Sequence, residues 1–276
     1  EAARIILSEN RPFSMETAAC DEEYEPSSEY DSSFALQIFA AREAVFKILA
    51  KESLSIHEKL IVILDMGSKI QQCINTDEYD NIKSVVNDYL KEGIAHTLDE
   101  TRNLSDSGQF EDISLQQGIR QILYPYEEME VLNPEWEVIL KDIIDSLFEQ
   151  MSDEEYNILN EEFGTYMVSR AYEYRQLLEY FVFRYFAKSI YDYDFLGKCQ
   201  MLVTNFFVIR QMDIIRWLDN HREYSFKDRM DVVHIFSRQV EYSEDNIENL
   251  YEDFIFDDIF KTDSLIAILW IDSENI

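Results

Sequence analysis

The sequence is poor in glycine, histidine and proline, and each shortage removes a class of site. Its 276 residues include only six glycines, and neither a G-x-G-x-x-G turn nor a G-x-x-x-x-G-K-[ST] loop occurs. The four histidines form no i, i+4 pair and no H-E-x-x-H motif, so their spacing does not support a zinc site. No G-x-S-x-G is present either. The familiar nucleotide, zinc-protease and hydrolase motifs are therefore missing.

Cysteine is also scarce. Cys20, Cys73 and Cys199 are single and far apart, with no C-x-x-C, which predicts neither a disulfide framework nor a metal or iron–sulfur site within this chain. No signal peptide opens the sequence, and the longest uncharged run, Cys199 to Ile209, is far shorter than the roughly 20 residues of a membrane span. We therefore expect a soluble, cytoplasmic protein with reduced thiols.

Positive charge is in short supply as well, with 24 Lys and Arg against 56 Asp and Glu and a net charge of −32. This balance argues against nucleic acid or an anionic membrane surface as a partner, because both would be repelled. A basic, lysine-bearing partner would be attracted. The alternative is that the charge only keeps a helical surface soluble.

What the sequence has in abundance is helical periodicity, strongest between Ala171 and Ser243. Apolar residues recur at i, i+3, i+4 and i+7 from Tyr174 to Phe186, which predicts one amphipathic helix. The next, about Phe195 to Leu218, is apolar nearly all round and is expected to be central and buried. A third opens at Ser225, where Asp228 completes a capping box.

Further helix starts lie on the N-terminal side of that region. Ser55 with Glu58 and Ser152 with Glu155 are capping boxes, and Asn133-Pro134 is typical of an N-cap followed by the first helical position. The pattern weakens between residues 93 and 132, where residues 103–108 are expected to form a loop.

No alternating strand pattern and no fixed-length repeat occurs. We therefore predict an all-α fold, an irregular multi-helix bundle of roughly ten helices without significant β-sheet. Residues 1–33 are expected to form a short helix and a mobile acidic linker. Residues 34–276 would form a single all-helical domain, with a possible sub-boundary near 93–132.

Several charged residues lie within or beside apolar stripes, among them Arg42, Arg184, Arg238 and Glu241. Arg238 and Glu241 are three residues apart, so an i, i+3 salt bridge on one helix face would explain both. The alternative is that Arg238 lines a cleft.

Four stretches together resemble one known family, the flagellin lysine N-methylases. They are similar to its C-P-E-A-A-R segment without the Cys-Pro, its R-E…L-S-x-E-[RK]-L helix pair, its L-E-N-Y-L-x-x-x-F-like helix and its F-S-R-x-x-E-H-S segment. In this chain they lie at Glu1–Arg4, Ala41–Leu60, Leu177–Phe183 and Phe236–Ser243. Order and spacing agree over nearly the whole chain.

The resemblance implies methyl transfer from S-adenosylmethionine to lysine side chains of flagellin or another lysine-bearing protein. It also implies an iron–sulfur cluster on cysteines that would precede Glu1. This chain would then be the C-terminal portion of a longer protein, inactive by itself. Tyr242 stands where the family pattern suggests His, which puts an acid–base role at that position in doubt.

From the same resemblance we expect Arg238, Glu241 and Tyr242 to be catalytic and Arg42 and Tyr180 to bind substrate, with no metal site in this chain. Arg238 would be a positioning cation, while Glu241 and Tyr242 would orient the lysine ammonium or accept its proton. The alternative is a non-catalytic acidic helical module that docks a basic protein. The oligomeric state is not predicted.

Overall fold

The computed structural model describes residues 2–8, 10 and 32–274, and within these ranges it contains helices and no strand. The α-helices, in chain order, are α1 (Ala2–Leu7), α2 (Ser32–Leu49), α3 (Ile56–Asn75), α4 (Ile82–Asp88), α5 (Ile94–Asp106), α6 (Leu115–Glu127), α7 (Pro134–Ile143), α8 (Asp153–Met167), α9 (Ala171–Tyr185), α10 (Ser189–Asp192), α11 (Phe195–Asp219), α12 (Phe226–Phe236), α13 (Glu244–Phe256) and α14 (Thr262–Glu274). The prediction of an irregular all-α bundle is confirmed.

Short turns of wider or tighter helix join several of these elements. The π-helical turns are Tyr89–Gly93, Ile144–Glu149 and Ser237–Glu241. The 3-10 turns are Tyr79–Asn81, Val168–Arg170, Phe186–Lys188 and Asp258–Phe260. None of the helices in the described part of the chain is long and apolar enough to cross a bilayer.

The predicted helix starts are present. Ser55, Ser152 and Ser225 each cap a helix in a reciprocal capping box. At the first, the Ser55 amide donates to Glu58 Oε2 at 2.7 Å, and Ser55 Oγ accepts from the Glu58 amide at 3.1 Å. The Asn133 side chain caps α7, with proline in the first turn. Each cap satisfies amides that the helix itself leaves without an acceptor.

Helix α11 is the centre of the bundle, as its sequence predicts. Every residue from Gly197 to Ile215 is buried, and α3, α6, α7, α9 and α12 pack around it. The closest approach is at Gly67 of α3, where an added Cβ would lie 2.5 Å from Cys199 Sγ. Only a residue without a side chain fits there without displacing α11.

The expected loop at residues 103–108 is partly wrong. Helix α5 continues through Asp106, and the turn comes later, with Gly108 at a φ of 80°. Only Thr97, Leu98 and Thr101 of α5 are buried. Most of the surface of α5 faces solvent, so few of its positions need an apolar residue. Its sequence therefore shows little of the hydrophobic periodicity by which a helix is predicted.

Most of the predicted acidic linker, residues 9 and 11–31, lies outside the described residues. The division at residue 33 and the sub-boundary near 93–132 therefore stay predictions.

Candidate functional site

The segment from Ser237 to Glu241 continues α12 as a π-helical turn, a form that recurs at functional sites. The Gln239 side chain anchors this turn to the backbone of the segment between α6 and α7. Its Oε1 accepts from the Leu132 amide at 3.0 Å, and its Nε2 donates to the Glu130 carbonyl at 2.7 Å. The wider turn separates Arg238 from Glu241, and the structure gives these two described residues no ion pair with each other.

Glu241 instead faces α9. Its Oε1 accepts hydrogen bonds from the Tyr180 hydroxyl at 3.1 Å and the Tyr185 hydroxyl at 3.0 Å. The Arg184 Nε lies 3.1 Å from the same oxygen. We call Tyr180, Arg184, Tyr185 and Glu241 the Glu241 cluster. Its carboxylate is nearly buried, with 3% of the side chain exposed, while 45% of the Arg184 side chain is exposed.

The second carboxylate oxygen of Glu241 is different. Among the described residues, Oε2 has no hydrogen-bond donor. The two tyrosine hydroxyls both donate to Oε1, and Arg184 Nε donates to the Tyr185 hydroxyl while it forms an ion pair with the same carboxylate oxygen. A carboxylate accepts through both oxygens. Glu241 is therefore held in place through one oxygen and can accept a further hydrogen bond, such as one from an ammonium group, through the other.

Electrostatics keep the two tyrosines as donors. Burial, followed by the Glu241 charge, raises the pKa of Tyr180 to about 12. The same causes, in the same order, raise the pKa of Tyr185 further. The pKa of Arg184 is also raised, chiefly by its hydrogen bond with Tyr185. Both hydroxyls therefore stay protonated near neutral pH and donate to the carboxylate.

Arg238 lies on the other side of the turn, in a groove of about 560 Å³ between α7, α11 and α12. We call this the acidic groove. Its charged and titratable lining residues are Glu135, Asp142, Arg216, Asp219, Asp231, His234 and Arg238. Arg238 is exposed and has no ion-pair partner among the described residues, so its guanidinium is open to the groove.

The remaining predicted site residues lie apart in different settings. Tyr242 is 77% exposed at the end of the π-helical turn. Arg42 lies on α2, with its guanidinium 5.1 Å from the Phe39 ring centre and 3.9 Å from the Glu43 carboxylate. The structure thus joins Tyr180 to Glu241 and places Arg238 in the groove. The roles of all five residues stay predictions.

Comparison with protein families gives one match. The model of the FliB lysine N-methylase C-terminal domain covers residues 42–268. The chain belongs to this family. No curated protein and no solved structure matches it. The matched range contains every predicted site residue and, in this FliB C-terminal domain, the whole Glu241 cluster and the acidic groove.

Two members of the Glu241 cluster were missed as site residues from sequence. Arg184 carried a signal, since it is a charge beside an apolar stripe of α9. Tyr185 carried none, because it lies at core spacing and its hydroxyl partner is 56 residues away. The hydrogen bond made by a tyrosine at a core position becomes apparent only when the position of the neighbouring helix is known.

A second carboxylate cluster lies deep in this FliB C-terminal domain. Asp213 Oδ2 accepts from the Tyr174 hydroxyl at 2.6 Å, and Oδ1 accepts from the Tyr224 hydroxyl. Arg229 donates to Asp213 and, at 2.9 Å, to Glu173. We call these five residues the Asp213 cluster, and all are buried.

The iron–sulfur cluster that the resemblance implies does not fit the two cysteines described here, Cys73 and Cys199. Burial raises the pKa of Cys199 well above its ordinary value, and burial likewise raises that of Cys73. Cluster ligands are thiolates. Within the described residues, no group of three His, Cys, Asp or Glu side chains could hold a metal ion.

Proposed function

We propose that this chain is the C-terminal domain of an S-adenosylmethionine-dependent lysine N-methyltransferase that acts on flagellin in the cytoplasm. The observation that carries the proposal is the family match over residues 42–268. The charge of −32 supports a lysine-bearing protein as the partner, since it attracts cations and repels nucleic acid and anionic membranes.

In this proposal Glu241 receives the substrate lysine. A lysine ammonium has no lone pair, so it must lose a proton before its nitrogen can attack a methyl group. Glu241 Oε2 accepts a hydrogen bond from the ammonium and then its proton. Tyr180, Tyr185 and Arg184 hold the carboxylate through Oε1 meanwhile. When bound, S-adenosylmethionine would supply the methyl group from its sulfonium centre and would leave as the neutral thioether.

The acidic groove provides a path for the rest of the substrate. Its carboxylates attract a basic segment, and Arg238 positions an acidic or carbonyl group of that segment. Tyr242 and Arg42 contribute further contacts at the surface. Because the groove lies on the other side of the π-helical turn from the Glu241 cluster, it would receive substrate residues beyond those next to the methylated lysine.

The iron–sulfur cluster is proposed to lie in a cysteine-rich region outside residues 1–276, and the chain alone is expected not to transfer methyl groups. The test is an anaerobic assay with labelled S-adenosylmethionine and flagellin, using this chain and the complete gene product side by side. Transfer by the complete product alone is the expected result. Failure of an iron-loaded complete product to label flagellin would contradict the proposal.

A second candidate is a non-catalytic module that binds a basic protein, favoured by the −32 charge. It predicts that a lysine-rich flagellin peptide binds this chain and is released as salt rises, because exposed charges are screened over about 8 Å at physiological ionic strength. Binding that does not change with salt would count against it.

A further inference from the structure

A cavity of about 160 Å³ lies between α3, α8, α9 and α11, and its walls are mainly apolar. Its lining includes Met167, Tyr174 and Phe206, and we call it the Phe206 cavity. Tyr174 offers only its ring, since its hydroxyl donates to Asp213 at 2.6 Å. An engineered cavity of about 150 Å³ lined by apolar side chains binds benzene. The Phe206 cavity therefore has room for one aromatic ring.

A buried arginine, Arg210, also lines this cavity and is short of acceptors. It is 3% exposed, and within the described part of the chain its guanidinium makes one hydrogen bond, from Nη2 to the Asn160 carbonyl at 3.2 Å. Nε lies 3.7 Å from Asp272 Oδ2 and has no hydrogen bond. Nη1 has no acceptor among those residues either, but it is not wholly enclosed by protein. The unused Nη1 donors therefore face the cavity.

The second buried polar group in the lining is His57, which Asp272 orients. His57 Nε2 lies 2.7 Å from Asp272 Oδ2. Burial would raise the pKa of Asp272, but Arg210 and His57 lower it to about 2, so this carboxylate is ionised and only accepts. In the neutral imidazole Nε2 thus carries the hydrogen, and Nδ1 keeps its lone pair. Nδ1 has no partner within the described residues and is not wholly enclosed.

The two polar groups lie side by side and differ in what they offer. Arg210 Nε and His57 Nε2 approach the same oxygen of Asp272, at 3.7 and 2.7 Å. Arg210 presents a donor to the cavity, and neutral His57 presents an acceptor. One hydroxyl group can meet both, because a hydroxyl donates and accepts. Since Asp272 compensates the Arg210 charge, a neutral ligand fits better than an ion.

We propose that the Phe206 cavity is a binding site for a small neutral aromatic molecule that carries one hydroxyl group, a phenol. The hydroxyl donates to His57 Nδ1 and accepts from Arg210 Nη1, and the ring lies against Phe206. The site shares no residue with the Glu241 cluster or the acidic groove, and the proposal does not depend on methyl transfer. The ligand supplies an acceptor to a buried arginine whose unmet donors are otherwise costly.

The test is calorimetric titration of the 276-residue chain with phenol and with toluene at about pH 8. The two molecules have nearly the same shape, and a hydroxyl in one replaces a methyl in the other. A cavity without polar groups would prefer toluene, which is the more hydrophobic. We expect phenol to bind about tenfold more tightly, because only phenol can bond to Arg210 and His57. Toluene binding as tightly as phenol would overturn the proposal. So would an absence of phenol binding, which would leave the cavity to water.

Two variants locate the binding. Arg210→Met is expected to reverse the preference so that toluene binds more tightly, while Arg102→Met, in an exposed pair with Asp99, is expected to bind both probes as the parent chain does. Gly164 is buried in α8 and lines the cavity. Gly164→Leu is expected to fill the cavity and abolish phenol binding without lowering the melting temperature, because glycine is a poor helix former.

A preference for phenol that persists in folded Arg210→Met or folded Gly164→Leu would contradict the assignment of the site. The comparison of phenol with toluene in the parent chain decides the proposal even where a variant does not fold.

Discussion

The Asp213 cluster and the Glu241 cluster are built from the same groups and differ in how far they are satisfied. Each places a carboxylate against two tyrosine hydroxyls and an arginine. In the Asp213 cluster both carboxylate oxygens accept hydrogen bonds and every member is buried. In the Glu241 cluster the donors meet at one oxygen, and Arg184 reaches solvent.

This difference assigns a stabilising role to the Asp213 cluster and a ligand-binding role to the Glu241 cluster. A buried polar group must be fully bonded, because an unmet donor or acceptor costs about 1–3 kcal/mol. The Asp213 cluster meets that condition for its carboxylate and links α9, α11 and α12. The Glu241 cluster holds its carboxylate through Oε1 alone and leaves Oε2 to accept a ligand. The predictions below act on this contrast, from the largest expected effect on stability to the smallest.

Arg229→Met should be the most destabilising change. It leaves Asp213 buried without its cation and leaves Glu173 with Arg170 alone, which costs about 3–5 kcal/mol of unfolding free energy. Urea denaturation measures this loss. The control is Arg102→Met in an exposed pair with Asp99, expected to cost about 0–1 kcal/mol. Similar losses in both variants would remove the distinction between buried clusters and surface pairs.

A third carboxylate, Asp272, extends the comparison to pH. It is buried, bonded to His57 at 2.7 Å and to Asn160, and near Arg210. Burial alone would raise its pKa, but Arg210, His57 and Asn160 outweigh burial and lower the pKa from 3.8 to about 2.

A lowered carboxyl pKa stabilises the fold above the unfolded value, and this stability is lost as pH falls through the folded value. We therefore expect about 2 kcal/mol of unfolding free energy to disappear between about pH 4 and pH 2. Denaturant titrations across that range measure it. Asp272→Asn, which does not titrate, should be less stable at pH 7 and show a flatter acid limb. An unchanged slope in that variant would contradict the assignment.

Tyr185→Phe and Tyr224→Phe compare the two clusters directly. Each removes one hydroxyl donor to a carboxylate, so each should lower stability by about 0.5–1.5 kcal/mol. Only Tyr185→Phe should also lower methyl transfer per folded molecule, because only Glu241 is proposed to meet substrate. Equal activity losses at equal folded fractions would show that the clusters do not differ in role.

How much of this could be predicted from sequence depends on the range of each interaction. The helix starts at Ser55, Ser152 and Ser225 were predictable because both partners of each cap lie within one turn. The buried α11 was predictable because its apolar residues are contiguous. The weakly patterned α5 was not.

The site required contacts that sequence does not contain. Tyr185 and Glu241 are 56 residues apart, and His57 and Asp272 are 215 apart. The expected Arg238–Glu241 salt bridge assumed an α-helical turn, whereas the chain forms a π-helical one. A π-helical turn contains more residues than an α-helical one, so the side chains that follow point to different neighbours. The hydrophobic period of the sequence does not show where such a turn occurs.

The most direct test of the account is methyl transfer to flagellin by Glu241→Gln in the complete gene product, beside the matched exposed variant Glu244→Gln. Glutamine keeps an acceptor for Tyr180 and Tyr185 but replaces Oε2 with a donor. We expect kcat/KM to fall by about 10²- to 10⁴-fold, with little change in unfolding free energy, and Glu244→Gln to remain active. A Glu241→Gln enzyme as active as Glu244→Gln would contradict the proposal that Glu241 receives the lysine.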